Sequence, residues 1–159
     1  LPCVYLPQGD AMNLPDLTLP ATGGGTLALP TLCGTKVVLY FYPKDNTPGC
    51  TNETKDFGAL HGEFAAAGCK VFGISRDSLK SHEGFKAKLE LPFELLSDAD
   101  EALCNALGVI KMKNMYGKQV RGIERSTFVF AADGSLAREW RGVKVPGHAE
   151  EVLEFVRSL

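Results

Sequence analysis

The run Tyr40-Phe41-Tyr42-Pro43-Lys44-Asp45-Asn46-Thr47-Pro48-Gly49-Cys50-Thr51 sets a cysteine just past a Pro-Gly pair, where an apolar strand gives way to an amphipathic helix. A thiol is a poor nucleophile and a thiolate a good one. The first turn of a helix favours the thiolate, through its free N–H groups and the positive end of its dipole. Thr47 is a preferred N-cap type, and Pro48 suits the first helical position, where a missing N–H costs nothing. On that register Cys50 lies in the first turn and reads as an activated nucleophile. An arbitrary cysteine would be read as a buried packing residue. The strand, the Thr-Pro-Gly lead-in and the helix start reverse that reading for Cys50.

The elements that must position this cysteine can be traced along the chain. Leu17-Thr18-Leu19 and Thr26-Leu27-Ala28-Leu29 flank three glycines and predict an N-terminal hairpin. Lys36 to Tyr42 is a nearly continuous apolar run, as expected of a strand buried on both faces. The helix from about Pro48 to Gly68 carries Cys50, Phe57 and Phe64 seven apart, so all three share a face turned to the sheet. Cys50 is thus expected at the bottom of a small recess, where an apolar setting alone would disfavour the thiolate and positive partners must compensate. A strand follows at Val71–Ile74, then a helix from Asp77 or Ser78 to about Leu89, a short strand at Phe93–Leu96 and a helix at about 100–107. Ser126–Ala131 and Leu136–Arg141 alternate around Asp133-Gly134, a hairpin signal, and a last helix spans about 147–157. The order predicts an α/β fold with a mixed central sheet and helices on both faces, which fits a thioredoxin-like core.

Composition narrows the class. With 159 residues, 45% hydrophobic and 23% charged, the chain suits a single domain over 1–159 with residues 1–13 flexible. A net charge of −2 provides no basic face for nucleic acid or anionic lipid, and no stretch approaches a membrane span. The five cysteines are widely spaced, without C-x-x-C, and the three histidines show no paired ligand spacing with them. Neither a disulfide scaffold nor a zinc site is expected, and no cofactor is implied. A thiol-containing, cytoplasmic protein is the expectation. Asn52-Glu53-Thr54 matches a glycosylation acceptor by chance, inside a predicted helix.

The segment Tyr40–Asp45 followed by Thr47-Pro48-Gly49-Cys50-Thr51 resembles the peroxiredoxins, specifically the Q-type or bacterioferritin-comigratory group. The likeness continues through Gly73–Ser78, Leu95–Asp98, Tyr116–Lys118, Gly122–Phe128 and Val143–Glu150, from about residue 14 to the end. The resemblance implies reduction of hydrogen peroxide and organic hydroperoxides by a peroxidatic cysteine, carried here onto Cys50. The family's P-x-x-x-T-x-x-C motif maps onto Pro43, Thr47 and Cys50, and its active-site arginine onto Arg125. Each residue type suits the chemistry. The thiolate attacks one peroxide oxygen in line, and charge develops on the departing oxygen. Donors such as the Thr47 hydroxyl, the Cys50 N–H and Arg125 orient the O–O bond and stabilise that charge. Pro43 offers a rigid apolar wall with no competing N–H. Plainer readings stand beside these: Thr47 as an N-cap, Pro43 as a strand end, and Arg125 in a surface ion pair with Glu124. His82 reads as a helix-surface residue, His148 as a helix-start residue and Trp140 as packing.

Many relatives carry a resolving cysteine five positions after the peroxidatic one, here Lys55, or just after the phenylalanine matching Phe85, here Lys86. Cys69 and Cys104 read as packing cysteines, and Cys3 and Cys33 match no resolving position. The chain therefore reads as a one-cysteine, monomeric member. Its sulfenic acid would be reduced by an external thiol, either glutathione with glutaredoxin or thioredoxin. Two alternatives use the same fold: a thioredoxin-like thiol-disulfide oxidoreductase, which needs a second cysteine in C-x-x-C, and a redox sensor or holdase answering to Cys50 oxidation.

Overall fold

The computed structural model describes residues 12–159. The expectations placed on residues 1–11, Cys3 included, lie outside that range. Of the segment expected to be flexible, Met12 and Asn13 are tied down: Asn13 bridges Ser135, and Leu136 N–H donates to Met12 O at 2.9 Å.

β1 (Thr18–Ala21) and β2 (Gly25–Ala28) form the predicted hairpin, followed by a 3-10 turn at Leu29–Leu32. Then come β3 (Lys36–Phe41), α1 (Pro48–Ala66), β4 (Cys69–Ser75), α2 (Leu79–Leu89), β5 (Leu95–Ser97) and α3 (Ala102–Leu107). The chain continues through β6 (Ile110–Met115), β7 (Lys118–Ile123), β8 (Ser126–Phe130), β9 (Leu136–Arg141) and α4 (His148–Ser158). Among the described residues, seven strands make one mixed sheet in the order β2-β1-β5-β4-β3-β8-β9, while β6 and β7 pair only with each other. β3 runs parallel to β4 and antiparallel to β8, and β4 runs parallel to β5.

β3 at the centre of the sheet reads out its two faces. Val37, Leu39 and Phe41 join α3 residues Leu103, Cys104 and Leu107 in one apolar cluster. Val38, Tyr40 and Tyr42 join α1, α2 and α4 in the other, with Phe57, Phe64, Phe85, Val152 and Val156. This period-two division of a strand that is apolar from Val37 onward is what burial on both faces requires. The expected face of α1 is present, since Cys50, Phe57 and Phe64 are all buried. α2 is capped by Ser78, whose hydroxyl accepts from Ser81 N–H at 3.1 Å.

Gly73 on β4 makes room for the aromatic stack behind the cysteine. A Cβ there would lie 2.6 Å from Tyr40 Oη and 2.8 Å from Leu95 Cδ2. The Tyr40 ring stacks on Phe57 with centroids 4.6 Å apart, and its hydroxyl pairs with Thr54 Oγ1 at 3.1 Å. Gly73→Ala should therefore lower stability by about 1–3 kcal/mol, the cost of overpacking a close-packed core. Urea titration measures this; an unchanged midpoint would show that Tyr40 yields without cost.

Candidate active site

Pro43–Thr47 links β3 to α1 and delivers Thr47 as N-cap residue, with extended backbone (φ −89°, ψ 151°). Its backbone is that of a cap, and its O accepts from Thr51 N–H at 2.9 Å. Its hydroxyl is not the cap expected from its residue type: no side-chain capping bond forms, and Oγ1 donates instead to Lys44 O at 2.9 Å. The first N–H groups of α1 have no partner inside the helix, and the Thr47 side chain leaves them uncapped. Cys50 sits in this first turn, 1% exposed.

Arg125 reaches the cysteine from the link between β7 and β8. Its Nη2 donates to Cys50 Sγ at 3.5 Å, and its Nη1 to Glu53 Oε1 at 2.7 Å. The plainer alternative, a surface pair with Glu124, is not what forms; Arg125 turns inward to a carboxylate 1% exposed. Its backbone is fixed from outside by Val143, whose N–H donates to Arg125 O at 3.0 Å. Gly49 lets the guanidinium approach, since a Cβ there would lie 3.2 Å from Nη2. Burial works against the Arg125 charge, but Glu53 and Cys50 outweigh it and raise its pKa further. Lys113 on β6 lies in the same electrostatic neighbourhood, and its Nζ donates to Ile123 O.

Glu53 is the member that sequence reading missed. It stands three residues after Cys50, on the same side of the helix, and that spacing is the signal by which the sequence marks it. Burial pushes its carboxyl up to about 7, against the pull of Arg125, and its Oε2 is buried without a hydrogen-bond partner. Glu53 thus holds its proton more tightly in the folded chain than at its ordinary 4.5. Its contribution to stability is full below about pH 4.5 and is lost as pH rises through about 7. The stability of Glu53→Gln relative to the native chain should grow by something on the order of 3 kcal/mol between pH 4.5 and 8. Denaturant titrations across that range test it; a constant difference would show that Glu53 stays ionised throughout.

The other free cysteines among the described residues are Cys69 and Cys104, both buried. Burial pushes the Cys69 thiol up to about 12. Burial and the nearby Asp98 carboxylate push Cys104 higher still. Neither supplies a thiolate at neutral pH, which agrees with packing roles. Cys33 is disulfide-bonded, against the expectation of a thiol there. His148 begins α4 as read, with Nε2 2.8 Å from Thr127 Oγ1, and Trp140 packs on its ring and on Phe155. His82 is not on the surface: it is fully buried beneath the Pro43–Thr47 loop. With Asp45 and Asp77 it forms a group of metal-ligating types whose ligand atoms lie within 4.8 Å of one another. Hydroxyl and N–H donors already meet those two carboxylates.

The profile of the AhpC/TSA family matches residues 11–139. The chain is 55% identical over 143 residues to peroxiredoxin Bcp of Xanthomonas campestris, covering 90% of this chain and 89% of that one. The chain is a peroxiredoxin. Peroxiredoxin Bcp of Bacillus subtilis is 46% identical over 145 residues, covering 91% and 92% of the two chains. A solved structure of X. campestris bacterioferritin comigratory protein, studied for its alkyl peroxide reduction activity, superposes with a TM-score of 0.88. It is 53% identical and covers 94% of this chain and 98% of its own. PrxQ of Xylella fastidiosa superposes at 0.89, with 44% identity and 98% of both chains covered. The fold is the thioredoxin-like one that the element order predicted, and this peroxiredoxin is a thiol-dependent peroxidase of the Bcp/PrxQ type. Among the described residues, no helix is long and apolar enough to cross a membrane.

Proposed function

We propose that Cys50 is the peroxidatic cysteine and that an external thiol completes the cycle. The observation that carries this is the placement of Cys50 Sγ in an uncapped first helical turn, 3.5 Å from the Arg125 guanidinium. Both features favour a thiolate, and Arg125 keeps its proton at any working pH. The thiolate attacks one oxygen of a hydroperoxide, the S–O bond forms as O–O breaks, and the leaving oxygen takes a proton as alcohol or water. Arg125 and the free N–H groups at the helix start stabilise the charge on the reacting oxygens. With its own proton on Lys44 O, Thr47 Oγ1 has lone pairs to accept the peroxide O–H. The half-buried Pro43 walls the approach.

Cys50 is then a sulfenic acid. A reductant thiol attacks its sulfur, water leaves, and a second thiol on the mixed disulfide restores Cys50. Lys55 is exposed, and Lys86 Nζ pairs with Glu94 at 2.7 and 2.9 Å, so neither family resolving position holds a thiol. Two solved structures of X. campestris peroxiredoxin Q are cysteine-to-serine variants thirty-six positions apart, and the same step from Cys50 ends on Lys86. The reductant we favour is glutathione with glutaredoxin or thioredoxin, acting on a monomeric, antioxidant enzyme of the cytoplasm.

Steady-state peroxide consumption with each reducing system tests the reading. A peroxidase consumes hydrogen peroxide or an organic hydroperoxide in proportion to added thiol. Stoichiometric oxidation without turnover in any system would instead make Cys50 a sensor.

A further inference from the structure

Two residues before Thr47, the loop turns one side chain into the protein. Asp45 is 3% exposed between the exposed Lys44 and Asn46, and Asn46 takes a left-handed backbone (φ 64°) that bends the chain toward Thr47. The Asp45 carboxylate receives three donors: Tyr42 Oη at 2.7 Å, Ser81 Oγ at 2.8 Å and His82 Nδ1 at 2.7 Å. Its backbone N–H donates to Asp77 Oδ2 at 2.8 Å. The other ring nitrogen of His82, Nε2, lies 2.9 Å from Leu96 O on β5. Burial alone would raise the Asp45 carboxyl, but the bonds from His82, Tyr42 and Ser81 hold it below its ordinary value.

This knot ties the loop to β3, the start of β4–α2, α2 and β5, while touching neither Cys50 nor Arg125. A charge so buried costs several kcal/mol unless its partners are well placed, and an apolar anchor would have filled the space without that demand. What such an anchor cannot do is fix direction. The start of α1 forgoes a side-chain cap and leaves its N–H groups open, so the loop lacks the usual device that sets its geometry. We infer that the Asp45–His82 pair takes over that task as a positioning device for the peroxide step, holding the Thr47 hydroxyl in register with Cys50 and Arg125. The inference rests on Cys50 being the peroxidatic residue.

Peroxide attack requires donors and acceptors held to a fraction of an ångström, and a misplacement of about 1 Å costs on the order of 10²-fold in rate. Alkylation of Cys50 by iodoacetamide requires only a reachable thiolate. Asp45→Asn and His82→Gln should therefore lower the second-order rate of Cys50 oxidation by hydrogen peroxide about 10–100-fold. Their alkylation rates at the same pH should stay within about twofold of the native chain. In a Thr47→Val background the Asp45→Asn effect should shrink to less than about threefold, because the group being positioned is already gone. Should either variant fold poorly, Ser81→Ala removes one donor to Asp45 and should show the same selective loss in smaller measure. Peroxide and alkylation rates falling together, or an undiminished Asp45→Asn effect beside Thr47→Val, would make the knot a fold staple only and overturn the inference. Peroxidase turnover persisting in Cys50→Ser would instead remove the reading beneath it.

Discussion

A chain in which Cys50 is the sole remaining thiol should keep its thiol-dependent turnover, and Cys50→Ser should lose it entirely. The structural ground is the contrast among the cysteines. Of the free cysteines among the described residues, all buried, Cys50 alone stands at a helix start beside a guanidinium, whereas the Cys69 and Cys104 thiols are pushed far above neutrality. Replacing Cys3, Cys33, Cys69 and Cys104 together with serine or alanine removes every internal partner for a sulfenic acid. Intact mass after one equivalent of peroxide should then show one added oxygen on a monomer, not the loss of two hydrogens. Excess peroxide should carry the waiting sulfenic acid on to sulfinic acid. A rapidly formed disulfide between Cys50 and any of the other four, required for turnover, would defeat the one-cysteine assignment.

Arg125→Ala should slow peroxide reduction by about 10²–10³-fold, the usual loss when one donor to a developing oxyanion is removed. The substitution also strips Glu53 of its donor, and the buried carboxyl, already pushed up to about 7, then takes up a proton at some cost in stability. Arg125→Ala combined with Glu53→Gln removes that penalty and should be equally slow but better folded. Arg125→Lys should not restore the rate, because one ammonium cannot hold Glu53 Oε1 and Cys50 Sγ with two separate nitrogens as the guanidinium does. Thr47→Val should likewise lose most of its rate and Thr47→Ser keep much of it. Since the Thr47 hydroxyl does not cap α1, Thr47→Val should show little of the roughly 1 kcal/mol that losing a true cap costs. Stopped-flow oxidation with parallel denaturant titrations separates the two effects. An Arg125→Ala, Glu53→Gln chain as fast as the native one would assign Arg125 a structural role.

The apolar periodicities were legible because burial writes them into the chain. β3, the Cys50–Phe57–Phe64 face of α1, and the β8–β9 hairpin stand where the sequence places them. The β6–β7 hairpin went unread because residues such as Lys111, Met112, Gln119, Val120 and Arg121 are exposed. No alternation separates an inner face from an outer one there, and its turn, with positive φ at both Tyr116 and Gly117, carries a non-glycine residue at its first position. Cys50 was legible from its local frame. Glu53 and His82 were not, since their meaning depends on Arg125 and Asp45, 72 and 37 positions away along the chain. Ion pairs of that range leave no periodic trace.

The outermost strands of the sheet have a consequence for how these molecules meet one another. An open strand edge is a row of unpaired backbone groups on which a second copy can continue the sheet. At one end of this sheet β2 is four residues long and begins beside Gly24, whose φ is 89°. At the other, β9 presents Arg138, Glu139 and Arg141, and pairing a second strand there would strip water from all three. Arg138 is already folded over the Trp140 ring, 4.4 Å from its centroid, and paired with Glu151 of α4. One edge is short and the other charged, so neither serves well as a template, and the molecules are kept from stacking into filaments.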